Sequence, residues 1–368
     1  MRATATSTVC LIDSQDACVP MSRPPLSEFD LIERFFGARF AQQGGRALAH
    51  AESLGIGDDA AILAPIPVGE QLVVSADMLV EGRHYFPECD PQSLGHKVLA
   101  VNLSDLAAMG ARPLGFTLSM GLRAPREAWL TSFSEGLYEL ASDTGCALLG
   151  GDTVAVPSEA PEVFSVSVLG TVPLGRALRR DGVCPGDQIW VSGHLGDGLE
   201  AVRRRLAHLR LDRPTPRLAL GEALREWAHA AIDVSDGLTA ELRHLLTASR
   251  RRSGQPLVAH LSLDALEACL GPLLKEAVAG KRLSPREAAR VAAVSGDEYE
   301  LLFAAPSEHG PHIEERAKAL HLPVTCLGSV CVGPGEDLLH WHDSKGQPIP
   351  AHEAPGESFD HFRTPTAP

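Results

Sequence analysis

Two domains of α/β (α+β) class are predicted for this 368-residue chain. Three observations carry the prediction: strand-like and helix-like segments alternate through both halves, a Gly- and Pro-rich break separates the halves near residue 173, and the length suits two ordinary cores. Residues 26–41, LSEFDLIERFFGARFA, space Phe29, Ile32, Phe36 and Phe40 at helical intervals behind a capping Ser27. QLVVSADMLV (71–80) and FSVSVLGTV (164–172) read as strands. Between them, helices are expected over 91–109 and 125–144, each opened by a proline. The turn at 182–187 delivers the chain into a strand at Gln188–Ser192. Helices then follow near 197–208, 216–230 and 237–250, with strands at 257–262, 299–304 and 324–332. The stretch after 333 is turn-rich and ends in aromatics able to fold back over a site. Residues 1–21 are expected to be a disordered tail, with Met21 a second candidate start.

Composition narrows the class of function. With 44% hydrophobic and 22% charged residues the chain is an ordinary folded protein rather than a disordered one. Its formal charge of -14 argues against a nucleic-acid or anionic-membrane surface, so a phosphate ligand would need cations. The eight cysteines are scattered with no C-x-x-C pair, which suggests reduced thiols and a cytoplasmic protein. No stretch approaches the about 18 apolar residues of a membrane span.

One motif invites a wrong turn. In SLGIGDDAAILAP (53–65), Gly55, Gly57 and Ala60 fit the dinucleotide pattern G-x-G-x-x-A, and Asp77 stands where a ribose-binding acid is expected. A phosphate loop of that kind must follow a strand and open a helix. RALAHAESL before it reads as helix or loop, and Pro65 and Pro67 after it exclude a helix interior. Asp58 and Asp59 would also set two carboxylates against a pyrophosphate.

Aspartate beside glycine or small residues recurs instead, at Asp58-Asp59, Asp77, Asp105, Asp152, Asp233-Asp236 and Asp297. One such place is a turn; six invite a shared purpose. Gathered carboxylates stay ionised only with cations among them, and oxygen ligands select Mg2+ or Ca2+. DVSDGLTAEL lacks the terminal Glu of a calcium loop, so Mg2+ carrying a nucleoside triphosphate fits better. Asp105 lies inside a helix, where turn formation cannot explain it; a salt bridge to Lys97 or Arg112 is the competing reading.

EFDLI, GIGDDAA, SADMLVEGRHYF, KVLAVNLSDLAAMGARP, GGDT, GRALRRDGVCPGD and AIDVSDGL follow one another in an order that resembles the thiamine-monophosphate kinases, from about Phe29 to Phe362. The resemblance implies a two-domain fold like that of aminoimidazole ribonucleotide synthetase, in which N-terminal domains pair their mixed sheets in a homodimer. It implies an ATP- and Mg2+-binding domain over 22–172 and, over 173–368, an α/β domain whose tail contacts substrate. The implied reaction moves a phosphoryl group from ATP to thiamine monophosphate, giving thiamine diphosphate. Position by position, it puts several Mg2+ ions on Asp59, Ser75, Asp77, Asp105, Asp152, Asp233 and Asp236. ATP contacts fall on Gly151, Asp152, Arg180 and Ser235. Substrate contacts fall on His84, on Asp297 in SGDEYELLF, and on Phe359 near the end of the chain. Asp297 stands where the family usually has Glu, and Glu298 is the residue able to compensate. No catalytic base is assigned, because the attacking phosphate oxygen already carries charge. The alternatives are another ATP-using member of the same superfamily and a non-catalytic MgATP sensor.

Overall fold

The computed structural model of the protein describes residues 28–40, 45–356 and 358. The expected N-terminal helix is there in three pieces: α1 (Glu28–Leu31), a π-helical turn (Ile32–Gly37) and α2 (Ala38–Phe40). The consecutive Phe35 and Phe36 of the π-helical turn both reach the core.

The first sheet has the order β1-β4-β2-β3, built from β1 (Glu70–Val80), β2 (Arg112–Leu122), β3 (Ala147–Ala155) and β4 (Val163–Pro173). Only β2 and β3 run parallel; the other pairs are antiparallel, so the sheet is mixed. Two helices, α3 (Pro91–Ala108) and α4 (Glu127–Thr144), cover one face. They cross at backbone contact, since a Cβ at Gly95 would lie 2.0 Å from the Phe133 carbonyl oxygen and one at Gly136 1.8 Å from that of Gln92. The Asp90 carboxylate caps α3 by accepting from Ser93 N, with Pro91 in the first turn. The opposite face leaves Leu72, Val74, Met78 and Val154 exposed.

The second sheet has the order β10-β7-β9-β5-β8-β6. Its strands are β5 (Asp187–Ser192), β6 (Ala230–Asp233), β7 (Leu257–Ser262), β8 (Leu301–Pro306), β9 (Val324–Val332) and β10 (Leu339–His342). Helices interleave: α5 (Asp197–Arg204), α6 (Leu209–Asp212), α7 (Leu218–Leu224), α8 (Leu238–Ser253), α9 (Leu263–Ala268), α10 (Pro272–Ala279), α11 (Pro285–Val294) and α12 (Gly310–Ala319). One face packs on Leu242, Leu246, Leu266 and Ala289, the other on Leu220, Leu224 and Ile313. Ala107 and Ala108, at the end of α3, join this second core, so α3 is buried almost all round and lies between the two sheets.

Several elements depart from the expected bounds. The helix expected over 216–230 stops at Leu224, and Ala230–Asp233 is strand; the helix expected to reach 208 ends at Arg204. The turn-rich segment after 333 contributes β10. Phe359 and Phe362, like the expected tail over 1–21, lie outside the described residues.

Candidate active site

The alternation of β1 turns Ser75 and Asp77 to the same side as Leu79, towards α3, while Val74, Ala76 and Met78 take the opposite face. On α3, Asn102 and Asp105 stand about one turn apart and meet them: the Asn102 Oδ1 accepts from Asp77 N at 2.9 Å, and the Ser75 hydroxyl donates to Asp105 Oδ2 at 2.5 Å. Neither Lys97 nor Arg112 is the partner of Asp105; Lys97 pairs with Asp297 and Arg112 with Glu222. The Ser104 hydroxyl donates to Asp233 Oδ2 at 2.7 Å, tying α3 to the end of β6. The loop after β6 then supplies Ser235 and Asp236, whose hydroxyl and backbone N–H both reach Glu241 Oε1 at 3.2 Å.

Electrostatics mark this seam as incomplete. Burial, then the charges of Asp105 and Asp236, raise the Asp77 carboxyl to about 6. Burial, then Asp105, raises Asp233 to about 8, and burial raises Glu241 to about 7. Asp105 is raised by burial against the opposing pull of the Ser75 hydroxyl and Arg180. These donors are all oxygens, the chemistry that Mg2+ takes, and their mutual repulsion is what a bound cation relieves. Among the described residues no three of these carboxylates converge to within 4.8 Å; only Cys184, Asp187 and His229 do so. The arrangement therefore suits a cation that keeps water and ligand phosphates in its shell rather than a closed cage.

Beside the seam opens a cleft of ≈ 340 Å³ lined by Asp77, His84, Ser235, Asp236, Asp297 and Tyr299. His84 Nδ1 accepts from Val80 N at 3.0 Å, so Nε2 carries the proton in the neutral ring. Asp297 holds a left-handed backbone (φ 58°), as does Tyr299 (φ 51°), and the Tyr299 hydroxyl donates to Asp297 Oδ1 at 2.8 Å. Backbone bonds hold this strained turn against the loop after β6: Asp297 N donates to Ser235 O and Tyr299 N to Val234 O. Glu298 cannot stand in for Asp297. Its buried carboxylate points away and accepts from Gly196 N, Gly198 N and the Ser295 hydroxyl.

Asp59 and Asp152 do not join the seam. They line a separate cleft of ≈ 630 Å³, with Gly57, Gly151, Phe36 and Met120. The reason is topological: Asp77 sits on β1 and Asp152 on β3, at opposite edges of a four-stranded sheet, three strand spacings or about 14 Å apart. One chain cannot hold all seven expected ligands on one ion. Gly57 (φ 124°) supplies the turn that presents Asp58 and Asp59, and Gly151 lies where a Cβ would come 1.8 Å from the Leu118 carbonyl oxygen. Arg180 lines a third cleft with Ser75 and Asp105 on the far side of the seam.

Sequence reasoning missed Lys97. Its ammonium, buried in α3, donates to the His84 carbonyl at 3.1 Å and lies 3.5 Å from Asp297 Oδ1, joining the two expected substrate contacts. A lysine amid VLAVNL on a helix with no polar face was the available signal. Ser104 and Glu241 were missed too.

A family model described as AIR synthase related protein, N-terminal domain, matches residues 57–172. Thiamine-monophosphate kinase of Escherichia coli (strain K12) is 38% identical over 354 residues, covering 92% of this chain and 99% of that protein. The crystal structure of thiamine-monophosphate kinase from Stenotrophomonas maltophilia K279a is 39% identical, with a TM-score of 0.72 over 89% of this chain and 99% of that one. A structure described as AaThiL complexed with AMPPCP and TMP is 26% identical, with a TM-score of 0.65 over 91% of this chain and 97% of that one.

Proposed function

The chain belongs to the thiamine-monophosphate kinase family and is a kinase, and from that premise we propose that it carries out direct in-line transfer of the γ-phosphoryl group of ATP to thiamine monophosphate. A phosphate oxygen of the acceptor bonds to the γ-phosphorus as the bond to the β,γ-bridging oxygen breaks, releasing ADP. The nucleophile is already anionic, so no side chain need take a proton, and positioning with charge stabilisation dominates.

The observation that carries this reading is the seam itself: Asp77, Asp105, Asp233 and Asp236, from both sheets and the helix between them, face one another beside a cleft that holds His84 and Asp297. Mg2+ bound there supplies the positive charge that lets polyphosphate approach these acids. Ser75 and Ser104 hold Asp105 and Asp233 in place. Arg180, across the seam, lends a fixed positive charge to a nucleotide phosphate. Asp297, paired with Lys97 and Tyr299, and His84 orient the acceptor. Gly151, Asp152 and Asp59 serve the nucleotide from the outer cleft, and Phe359 is kept as the aromatic contact to thiamine. The domain division at 172/173 falls at the end of the first sheet.

We further read the chain as a cytoplasmic homodimer. The exposed apolar row of Leu72, Val74 and Met78 on β1, an edge strand, is the surface for a second copy. Among the described residues no helix is long and apolar enough to cross a membrane.

The test is direct. Purified protein is incubated with MgATP and thiamine monophosphate, and products are read by mass spectrometry. Thiamine diphosphate and ADP in equal amounts, with free thiamine unreactive, is the expected result. ATP binding without acceptor-dependent ADP release would leave a sensor rather than an enzyme.

A further inference from the structure

At the end of β6 opposite Asp233, three donors of different chemistry converge. Cys184, Pro185, Gly186 and Asp187 form the reverse turn that enters β5, with Gly186 left-handed (φ 94°) and Asp187 N donating to the Cys184 carbonyl at 3.2 Å. The Asp187 carboxylate folds back over the turn and accepts from Cys184 N at 2.8 Å. His229, the residue before β6, brings Nδ1 to 2.9 and 3.1 Å from the two Asp187 oxygens. The thiol sulfur, a carboxylate oxygen and a ring nitrogen all lie within 4.8 Å of one another, the only such group of metal-binding side chains among the described residues.

We propose that Cys184, Asp187 and His229 form a Zn2+ site with a fourth position open to solvent. The donor set decides the metal. A thiolate, an imidazole and a carboxylate make a borderline-soft set that suits zinc and is poor for Mg2+, so the site is chemically distinct from the all-oxygen seam. Asp187 is buried, its side chain 3% exposed, which fixes one ligand; Cys184 and His229 are exposed, which gives the ion a route in and leaves room for water.

The placement gives the ion a structural consequence. Residues 179–187 run beside β6: Ala231 N donates to the Arg179 carbonyl, and a Cβ at Gly182 would lie 2.0 Å from the His229 carbonyl oxygen. Zinc bridging the turn to His229 clamps the far end of the segment that carries Arg180. The site does not depend on the kinase reading.

Zn2+ is titrated into metal-free protein against a chromogenic chelator, with Mg2+ in excess throughout. One equivalent should bind, and X-ray absorption should report one sulfur at about 2.3 Å with nitrogen or oxygen at about 2.0 Å. Cys184→Ser and His229→Ala should each weaken binding by more than about 100-fold, beyond the effect of outer contacts. Cys184 is exposed, so the serine variant should keep the metal-free melting temperature of the parent. A shell without sulfur, or affinity unchanged in both variants, overturns the proposal.

Discussion

Two groups of buried carboxylates lie on either side of the 296–300 turn, and they are in opposite electrostatic states. On one side Asp197, Glu298 and Glu300 surround Arg210, and Arg217 clasps Glu300 with two nitrogens, Nε at 2.7 Å and Nη2 at 2.5 Å. Burial works against ionising Glu300, yet Arg217 and Arg210 outweigh it and hold its carboxyl below the ordinary value. On the other side Asp77, Asp105 and Asp233 share the seam with Glu241, and burial with mutual repulsion pushes Asp233 up to about 8. Where the fold supplies its own cations, the acids are structural struts. Where it supplies only Arg180 across the seam, the acids stay raised, and under the proposed function the remaining charge comes with a ligand.

Neutralising one acid in each group should therefore move stability in opposite directions. Asp233→Asn should cut turnover at saturating MgATP on the order of 10²–10³-fold, the scale of losing one preorganised electrostatic contact. The same variant should melt higher than the parent at neutral pH when both are free of metal, because it removes an acid whose carboxyl the fold holds far above its ordinary range; a lower melting temperature would break the comparison. Glu300→Gln should destabilise by about 3–5 kcal/mol in urea unfolding, since it strands the Arg217 guanidinium and takes one of three carboxylates from Arg210.

The pH dependence sharpens the point. A folded-state carboxyl held below its ordinary value of 4.5 adds stability that is present above that value and lost as the pH falls beneath it. Parent protein should thus lose this increment as the pH falls below 4.5, and Glu300→Gln should show a shallower slope over the same window. Equal slopes would remove Glu300 from the strut.

Lys97 bridges the comparison, being a cation of the fold aimed at Asp297, the proposed acceptor contact. Lys97→Met should raise the KM for thiamine monophosphate about 10–100-fold, the worth of a hydrogen bond to a charged group, while the KM for ATP stays near the parent value. An equal rise in both would make the residue merely structural. Smallest of all, Asp152→Asn should leave stability within about 0.5 kcal/mol, because that acid is exposed to solvent.

These contrasts explain what the sequence could and could not disclose. Strands β1 and β4 and helices α3 and α4 were legible because valine runs, prolines at helix starts and glycine at the end of α4 act locally. Strand β2 was not: Pro113, Gly115 and Gly121 interrupt RPLGFTLSMGL, and the chain tolerates them through a register shift beside Pro113 and pairing on both sides. AAID is too short to show a period and took its strand from β8. Helix α11 should have been seen, since Ser284 and Glu287 form a capping box around Pro285. At the site, Asp-Gly motifs found the acids, but not which of them share a neighbourhood. Asp77 and Asp152 look alike in sequence, and only strand order sets them at opposite sheet edges. Lys97 and Asp297 are two hundred residues apart in the chain, so no local pattern joins them.

The backbone bonds from Asp297 to Ser235 and from Tyr299 to Val234 have a thermodynamic consequence. A ligand that orders the 296–299 turn also orders the loop carrying Asp236, and the entropy spent by the first arrival is spared the second. Under the proposed function, binding of acceptor and of metal–nucleotide should then be cooperative, and by reciprocity each should tighten the other by the same factor.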